Sequence, residues 1–343
     1  MTEEDCKLNT DAETAATEGT KLLSESDIRA ALNVGEALQV VERTYVEMSR
    51  DRVLNPAKLS MHIGDDGNWP NKNAFSIDMP AYVDWCDAVG TKWAVATWDA
   101  DTDVPISSLI LLFDLDDGRF RSVMEGMYLT GIRTALQSVV GLKHLLSTQP
   151  ESIGVFGAGF QASFQISVID EILDINEFNI YDIKRGAAAD LREQLADKID
   201  AKIVIGETPK VAGETDAVLT VTDSKRPVVA DKLINNTELI IALGSYRELT
   251  NETINNVDMI IVDHVEQCLS RGVLADMARR DELSASDIDA TIGEVLNESA
   301  HAPVAGGARK VFVPMGLGAL DIAISELVYN NTKSYNISTF DFI

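Results

Sequence analysis

From Leu22 onward the apolar positions of the chain follow three different rhythms. Over Ser24–Ser49 they recur at helical spacing around Ile28, Leu32, Ala37 and Val41, which predicts one or two short helices. Across residues 56–128 the period changes. Lys58–Ile63, Ser76–Tyr82, Thr91–Thr97 and Ser107–Asp114 alternate or run continuously apolar between Gly- and Asp-rich turns, which predicts antiparallel strands joined by hairpins. Leu129–Leu146 returns to a helical stripe through Ile132, Ala135, Leu136, Val139, Val140 and Leu142. After Glu151, the segments SIGVFG, EFNIY, AKIVIG, DAVLTVT, ELIIALG and DMIIVD are short Val- and Ile-rich runs separated by crossovers. Such runs predict a parallel, doubly wound sheet, so the chain reads as α/β. Beyond a loop around Pro303–Gly307, VFVPMGLG leads into a last helix, Ala319–Tyr329.

The composition is globular: 343 residues, 45% apolar and 24% charged, which excludes a fibre or a wholly disordered chain. Charge changes the picture more. Asp and Glu number 55 against 29 Lys and Arg, a net −26. A surface so negative repels phosphate backbones and anionic lipid, so neither nucleic acid nor a membrane is an expected partner. The same excess suits a halophilic cytoplasm, where concentrated salt screens the self-repulsion. Residues 1–20 carry six acids and one Lys without an apolar core. They read as an acidic, disordered tail rather than a signal peptide or presequence. With no apolar stretch approaching the roughly 18 residues of a membrane span, the expected location is cytoplasmic. Cys6, Cys86 and Cys268 are too scattered for a disulfide framework or a CxxC metal site. His62, His144, His264 and His301 show no metal spacing, and His62 reads as structural or lining a pocket. Asp99, Asp101 and Asp103 lack the Gly and Glu of a calcium loop and read as a solvated acidic turn.

The sharpest local signal is GAGFQA, Gly157–Ala162, directly after the strand Ser152–Phe156. Gly157 permits the tight turn, Gly159 lets backbone approach a pyrophosphate, and Ala162 lets helix and sheet pack closely. Ala158, Phe160 and Gln161 complete a turn whose helix N-terminus offers unpaired N–H groups to the anion. The next strand ends in Asp182, 25 residues after Gly157, where a carboxylate can accept both ribose hydroxyls. That favours NAD over NADP, although Lys184 and Arg185 just beyond keep NADP open. Thr220, Val221 and Thr222 at the fourth strand end, and Leu243 at the fifth, fall where ligands of open α/β sheets sit.

LTGIRTA (Leu129–Ala135) precedes this turn. With MPAY (Met79–Tyr82), GTKWA (Gly90–Ala94) and PMGLGALD (Pro314–Asp321), it resembles the ornithine cyclodeaminase/mu-crystallin family over about residues 22–330. That family includes archaeal alanine dehydrogenases, ketimine reductases and opine-type dehydrogenases. The resemblance implies a Rossmann dinucleotide-binding domain (145–317) inserted into an α+β substrate-binding and dimerisation domain (21–144 and 318–343). It also implies a homodimer and a small amino or imino acid as substrate.

Carried over residue by residue, the resemblance gives Arg133 as the clamp for the substrate carboxylate, with Thr130 and Thr134 beside it touching cofactor or substrate. An arginine suits this, because its planar fork meets carboxylate with two parallel hydrogen bonds. Arg133 is expected in the first turn of its helix. Lys92 matches the family lysine that contacts substrate and handles a proton. Lys58 stands where the family places another substrate-binding arginine and keeps the charge without the fork. Asp321 matches the acid of the C-terminal pattern, expected either to orient the nicotinamide end or to cap local structure. One departure is plain: ornithine cyclodeaminases carry an Asp where this chain has Tyr246, and Glu248 is the first acid that follows. The expected activity is therefore NAD-dependent oxidoreduction at the C–N bond of a small amino or imino acid. Ornithine cyclodeamination and a non-catalytic, mu-crystallin-like binding protein remain the alternatives.

Overall fold

The computed structural model describes residues 19–64, 69–98, 106–300 and 307–342. Most of the expected acidic tail, the Asp99–Asp101–Asp103 turn, Cys6, His301 and most of the Pro303–Gly307 loop lie outside them. The first part of the chain runs β1 (Thr20–Leu23), α1 (Glu25–Ala31), α2 (Val34–Met48), β2 (Val53–Leu54), β3 (Leu59–Ile63), β4 (Ala74–Val83), β5 (Ala88–Thr97), β6 (Ile106–Phe113), β7 (Phe120–Glu125) and α3 (Met127–Leu145). Two caps explain why the first helical stretch is split. Ser24 and Asp27 form a capping box on α1, and Asn33 accepts from the Glu36 N–H to start α2.

The second part runs β8 (Ser152–Phe156), α4 (Phe160–Ile172), β9 (Glu177–Tyr181), α5 (Arg185–Leu195), β10 (Lys202–Ile205), α6 (Pro209–Gly213), β11 (Ala217–Thr220), β12 (Leu239–Ala242), α7 (Asn251–Asn255), β13 (Met259–Val262), α8 (Val265–Ser270), α9 (Ala275–Arg279), β14 (Ala290–Thr291) and α10 (Ile292–Leu296). It closes with β15 (Lys310–Val313), α11 (Gly318–Asn331) and β16 (Thr339–Phe340).

Two sheets result. The first has the order β16-β1-β7-β6-β5-β4-β2, with β3 added to β4. Its strands β4 to β7 form the expected antiparallel meander, while β1 lies parallel to β7. Alternation along β5 sends Ala88, Gly90 and Lys92 to the side covered by α11, and Trp93 and Val95 to the open side. The second sheet is wholly parallel, β10-β9-β8-β11-β12-β15-β13-β14. Its order reverses between β8 and β11, which opens a crevice beyond their carboxyl ends. Helix α3 touches β6 of the first sheet and β12 of the second and packs along α4, so it forms a wall shared by both.

The six strands read from the sequence are all present, although β10, at the sheet edge, is only half-buried. The run leading into the last helix adds a seventh: β15 inserts between β12 and β13, satisfying a strand on either side. Helix α3 begins at Met127, so Arg133 sits in its second turn, not its first. Among the described residues, no helix is long and apolar enough to cross a membrane.

Candidate active site

The Gly-rich turn meets the demands of a pyrophosphate cradle. Gly157 adopts φ 109°, and a Cβ there would lie 2.7 Å from the Val221 carbonyl oxygen. Its N–H donates to the Tyr181 carbonyl at 2.9 Å, tying the turn to the end of β9. Gly159 caps α4 without any side-chain hydrogen bond, and a Cβ on it would meet nothing within 4 Å. The first N–H groups of α4 therefore face open space beside the exposed Phe160, and the half-buried Gln161 has an unpaired Oε1. Asp182 stands just past β9 and accepts the Ala158 N–H at 2.9 Å and the Lys184 N–H at 2.7 Å. This orients its carboxylate beside the turn. Arg185, the cation that could hold a 2′-phosphate, pairs instead with Glu207 at 3.0 Å. The residues present fit a dinucleotide whose ribose meets a carboxylate.

Opposite this cradle, α3, α11 and β5 bring together three groups from distant parts of the chain. Asp321, wholly buried, accepts from Arg133 Nε at 3.0 Å and pairs with Lys92 Nζ at 2.9 Å. The sequence pattern left Asp321 either to orient the nicotinamide end or to cap local structure. Its carboxylate is instead the counter-charge of two buried cations, which would otherwise stand side by side without one. Burial pushes the Asp321 carboxyl up, but Arg133 and then Lys92 pull it below the usual carboxylate range. Burial, followed by Arg133, pushes the Lys92 ammonium down to about 8 against the pull of Asp321. Lys92 also reaches Thr130 Oγ1 at 3.4 Å, whereas Thr134 donates its hydroxyl back to the Thr130 carbonyl.

Arg133 is fixed from its other side by residues that the sequence reading missed. Its Nη1 donates to Gln137 Oε1 at 3.0 Å, and Gln137 Nε2 donates to Tyr45 Oη at 2.7 Å and Asp263 Oδ2 at 3.2 Å. Asp263 in turn accepts the Gly316 N–H at 2.7 Å. Burial pushes the Asp263 carboxyl up despite these donors. Among the described residues Arg133 Nη2 donates to no protein acceptor, the side chain's bonds running through Nε and Nη1. Lys58, just before β3 and half-buried, donates to the Met315 carbonyl at 2.6 Å. Burial, then Arg133, Lys92 and Arg271, push its ammonium down to about 7. Arg271, also missed, donates to Ser245 Oγ at 3.1 Å just past the end of β12.

The crest of the second sheet is tied by Glu248. This buried carboxylate accepts from Thr220 Oγ1 at 2.6 Å, Thr222 N at 2.6 Å, Thr222 Oγ1 at 2.8 Å and Gly244 N at 2.8 Å. The hydroxyls of Thr220 and Thr222, assigned to the cofactor from sequence, are thus donated to Glu248, which needs several donors to stay buried. Val221 and Leu243 hold the strand ends through backbone bonds to Phe156 and Thr220. Tyr246 is exposed at the same crest. His62 lies exposed on β3.

The model of the ornithine cyclodeaminase/mu-crystallin family matches residues 18–336, and the chain belongs to that family. It is 25% identical over 327 residues to the alanine dehydrogenase of Archaeoglobus fulgidus, covering 93% of this chain and 97% of that protein. The Thermococcus litoralis Δ1-pyrroline-2-carboxylate reductase, solved with NADH and L-proline, superposes with a TM-score of 0.86. It is 24% identical and matches 94% of this chain and 100% of that one. An archaeal alanine dehydrogenase dimer with bound NAD gives 0.83 at 24% identity, over 94% of this chain and 99% of that chain.

Proposed function

We propose that the protein is an NAD-dependent oxidoreductase that interconverts a small amino acid and its imine. The observation that carries this reading is the buried Asp321 carboxylate flanked by Lys92 and Arg133. A buried lysine whose ammonium is pushed down to about 8 can exchange a proton near neutral pH. Beside it, an arginine with a free Nη2 can hold a carboxylate. Bound NAD supplies the hydride acceptor or donor; the open α4 N-terminus, Gly157, Gly159 and Asp182 would hold it. Arg133 Nη2 and Lys58 Nζ hold the substrate's α-carboxylate and so fix the α-carbon. Lys92 Nζ takes a proton from the substrate ammonium in oxidation and returns it in reduction. Asp321 keeps Lys92 and Arg133 in place for both directions.

The family membership and the likeness to an alanine dehydrogenase and to a reductase of a cyclic imino acid support the same chemistry. Cyclodeamination of ornithine has less support: Tyr246 offers a phenol where that reaction uses a carboxylate, and Glu248 is committed to four donors. The working unit is a homodimer in this reading. Large apolar side chains stay exposed on the open side of the first sheet, among them Trp93, Val95 and Leu109, in a chain that is otherwise strongly acidic. The division into a cofactor domain (145–317) and a substrate domain (21–144 with 318–343), and a salt-rich cytoplasm, belong to the same proposal. Its test is nicotinamide absorbance in concentrated salt with NAD and a panel of amino acids. Net NADH formation supports the reading. Ammonia release from ornithine without net NADH contradicts it.

A further inference from the structure

The charges around the site do not balance. Besides burial, Arg133, Lys92 and Arg271 all push on the Lys58 ammonium, and the carboxylates met among these cations are Asp321 and Asp263. Asp321 is taken by Lys92 and Arg133, and Asp263 by Gln137 and the Gly316 backbone. Lys58 finds only a carbonyl, and Arg271 only a hydroxyl. Neither has a carboxylate in ion-pair range among the described residues, in a protein with 55 acids and 29 Lys and Arg. Lys58, pushed down to about 7, can shed its charge, but an arginine cannot, so the Arg271 guanidinium is the cation left for a ligand to neutralise. One α-carboxylate on Arg133 and Lys58 leaves Arg271 unanswered.

The location of Arg271 sharpens the point. Three loops meet at the carboxyl end of β12. A Cβ on Gly272, the next residue, would touch the Met315 side chain at 2.7 Å and approach the Gly244 carbonyl at 3.4 Å. Met315 is the residue whose carbonyl holds Lys58. The guanidinium of Arg271 thus lies by the strand end, close enough to the Lys58 ammonium to push it down, with the exposed Tyr246 near it. Apart from the Nη2 bond to Ser245, its N–H groups meet no acceptor among the described residues.

We propose that the substrate carries a second carboxylate, and that Arg271 is the residue that selects it. This rests on the reading of the protein as an oxidoreductase of amino or imino acids and narrows its substrate to the dicarboxylic class. Arg133 and Lys58 hold the α-carboxylate, and Arg271 holds the one at the far end of the side chain. An amide of the same shape offers the guanidinium no charge and is rejected.

The test is calorimetric, on protein saturated with NADH, where an amino acid binds without being oxidised. L-aspartate and L-asparagine are titrated, then L-glutamate and L-glutamine. An acid of at least one pair is expected to bind about tenfold or more tightly than its amide. Arg271→Gln should cost that acid at least about tenfold more affinity than it costs the amide, and Arg271→Lys should recover part of the difference. A melting curve for each variant confirms that it is folded. Acid and amide bound equally well, or weakened equally by Arg271→Gln, would overturn the proposal. Oxidation of alanine or proline without preference for a dicarboxylate would overturn it and leave the oxidoreductase reading intact. Selective binding of the acid with no oxidation of any amino acid would support the selectivity while sinking that reading.

Discussion

The guanidinium of Arg133 packs against bare backbone at Gly316: a Cβ at Gly316 would lie 2.5 Å from Arg133 Nη1. Gly316 also has φ 77°, and its N–H is held by Asp263. The turn between β15 and α11 is therefore shaped around the arginine that would clamp the substrate.

Gly316→Ala should displace Arg133 from Asp321 and Gln137. A shift of an ångström in a positioning group costs catalysis about a hundredfold, so kcat/KM is expected to fall by that order. Steady-state kinetics checks this. Unchanged kinetics would mean that Arg133 does not touch the substrate.

Asp321→Asn keeps the volume and removes the charge shared by two buried cations. Breaking such a pair by deleting one partner costs about 3 kcal/mol or more, which denaturant unfolding will show as a lower midpoint. The same variant takes away the group that raises the Lys92 proton affinity, so any rate limited by Lys92 should move its pH dependence to more acidic values. A merely structural aspartate would lower stability without moving the profile.

The pH dependence has opposite signs in the two directions. To accept a proton, Lys92 must be neutral, so oxidation should rise with pH through about 8. To donate one, it must be charged, so imine reduction should fall over the same range. Lys92→Gln should remove that limb from both profiles and slow turnover by about a hundredfold or more. Profiles with the same sign in both directions would assign the proton to another group.

Glu248→Gln leaves one oxygen to accept where two accept now, and it places an amide N–H against donors. The ends of β11 and β12 should loosen, with NADH binding weakened about tenfold, a cost of about 1.4 kcal/mol. NADH fluorescence titration reads it directly. Wild-type affinity would show that Glu248 serves stability alone.

Much of the fold was legible because its signals are local. Six Val- and Ile-rich runs announce buried parallel strands, and GAGFQA carries its turn and its helix start within one short segment. Strand β15 escaped because an apolar stretch running into Pro314 says nothing about which two strands will flank it. The pairings of β1 and β16 rest on four and two residues that meet from opposite ends of the chain. Lys92 and Arg133 could be singled out, one as a lysine in an apolar run and the other within LTGIRTA. Asp321 could be singled out too, within PMGLGALD, but its pairing with them could not: it lies 188 residues from Arg133, and no periodicity links them. The bonds of Thr220 and Thr222 to Glu248 were hidden for a similar reason. A threonine at a strand end is equally suited to a cofactor and to a buried carboxylate, and only the fold brings Glu248 to them. Arg271 had no sequence signal, being a single arginine before a glycine in a loop.

The proposed hydride transfer runs between the nicotinamide and the α-carbon of an amino acid, with net change in both. It is tested most directly by reducing the imine with NADH deuterated at the transferred position and weighing the amino acid produced. One deuterium on the α-carbon is expected for each NADH consumed. An amino acid without deuterium, or product formed with the NADH unconsumed, would contradict it.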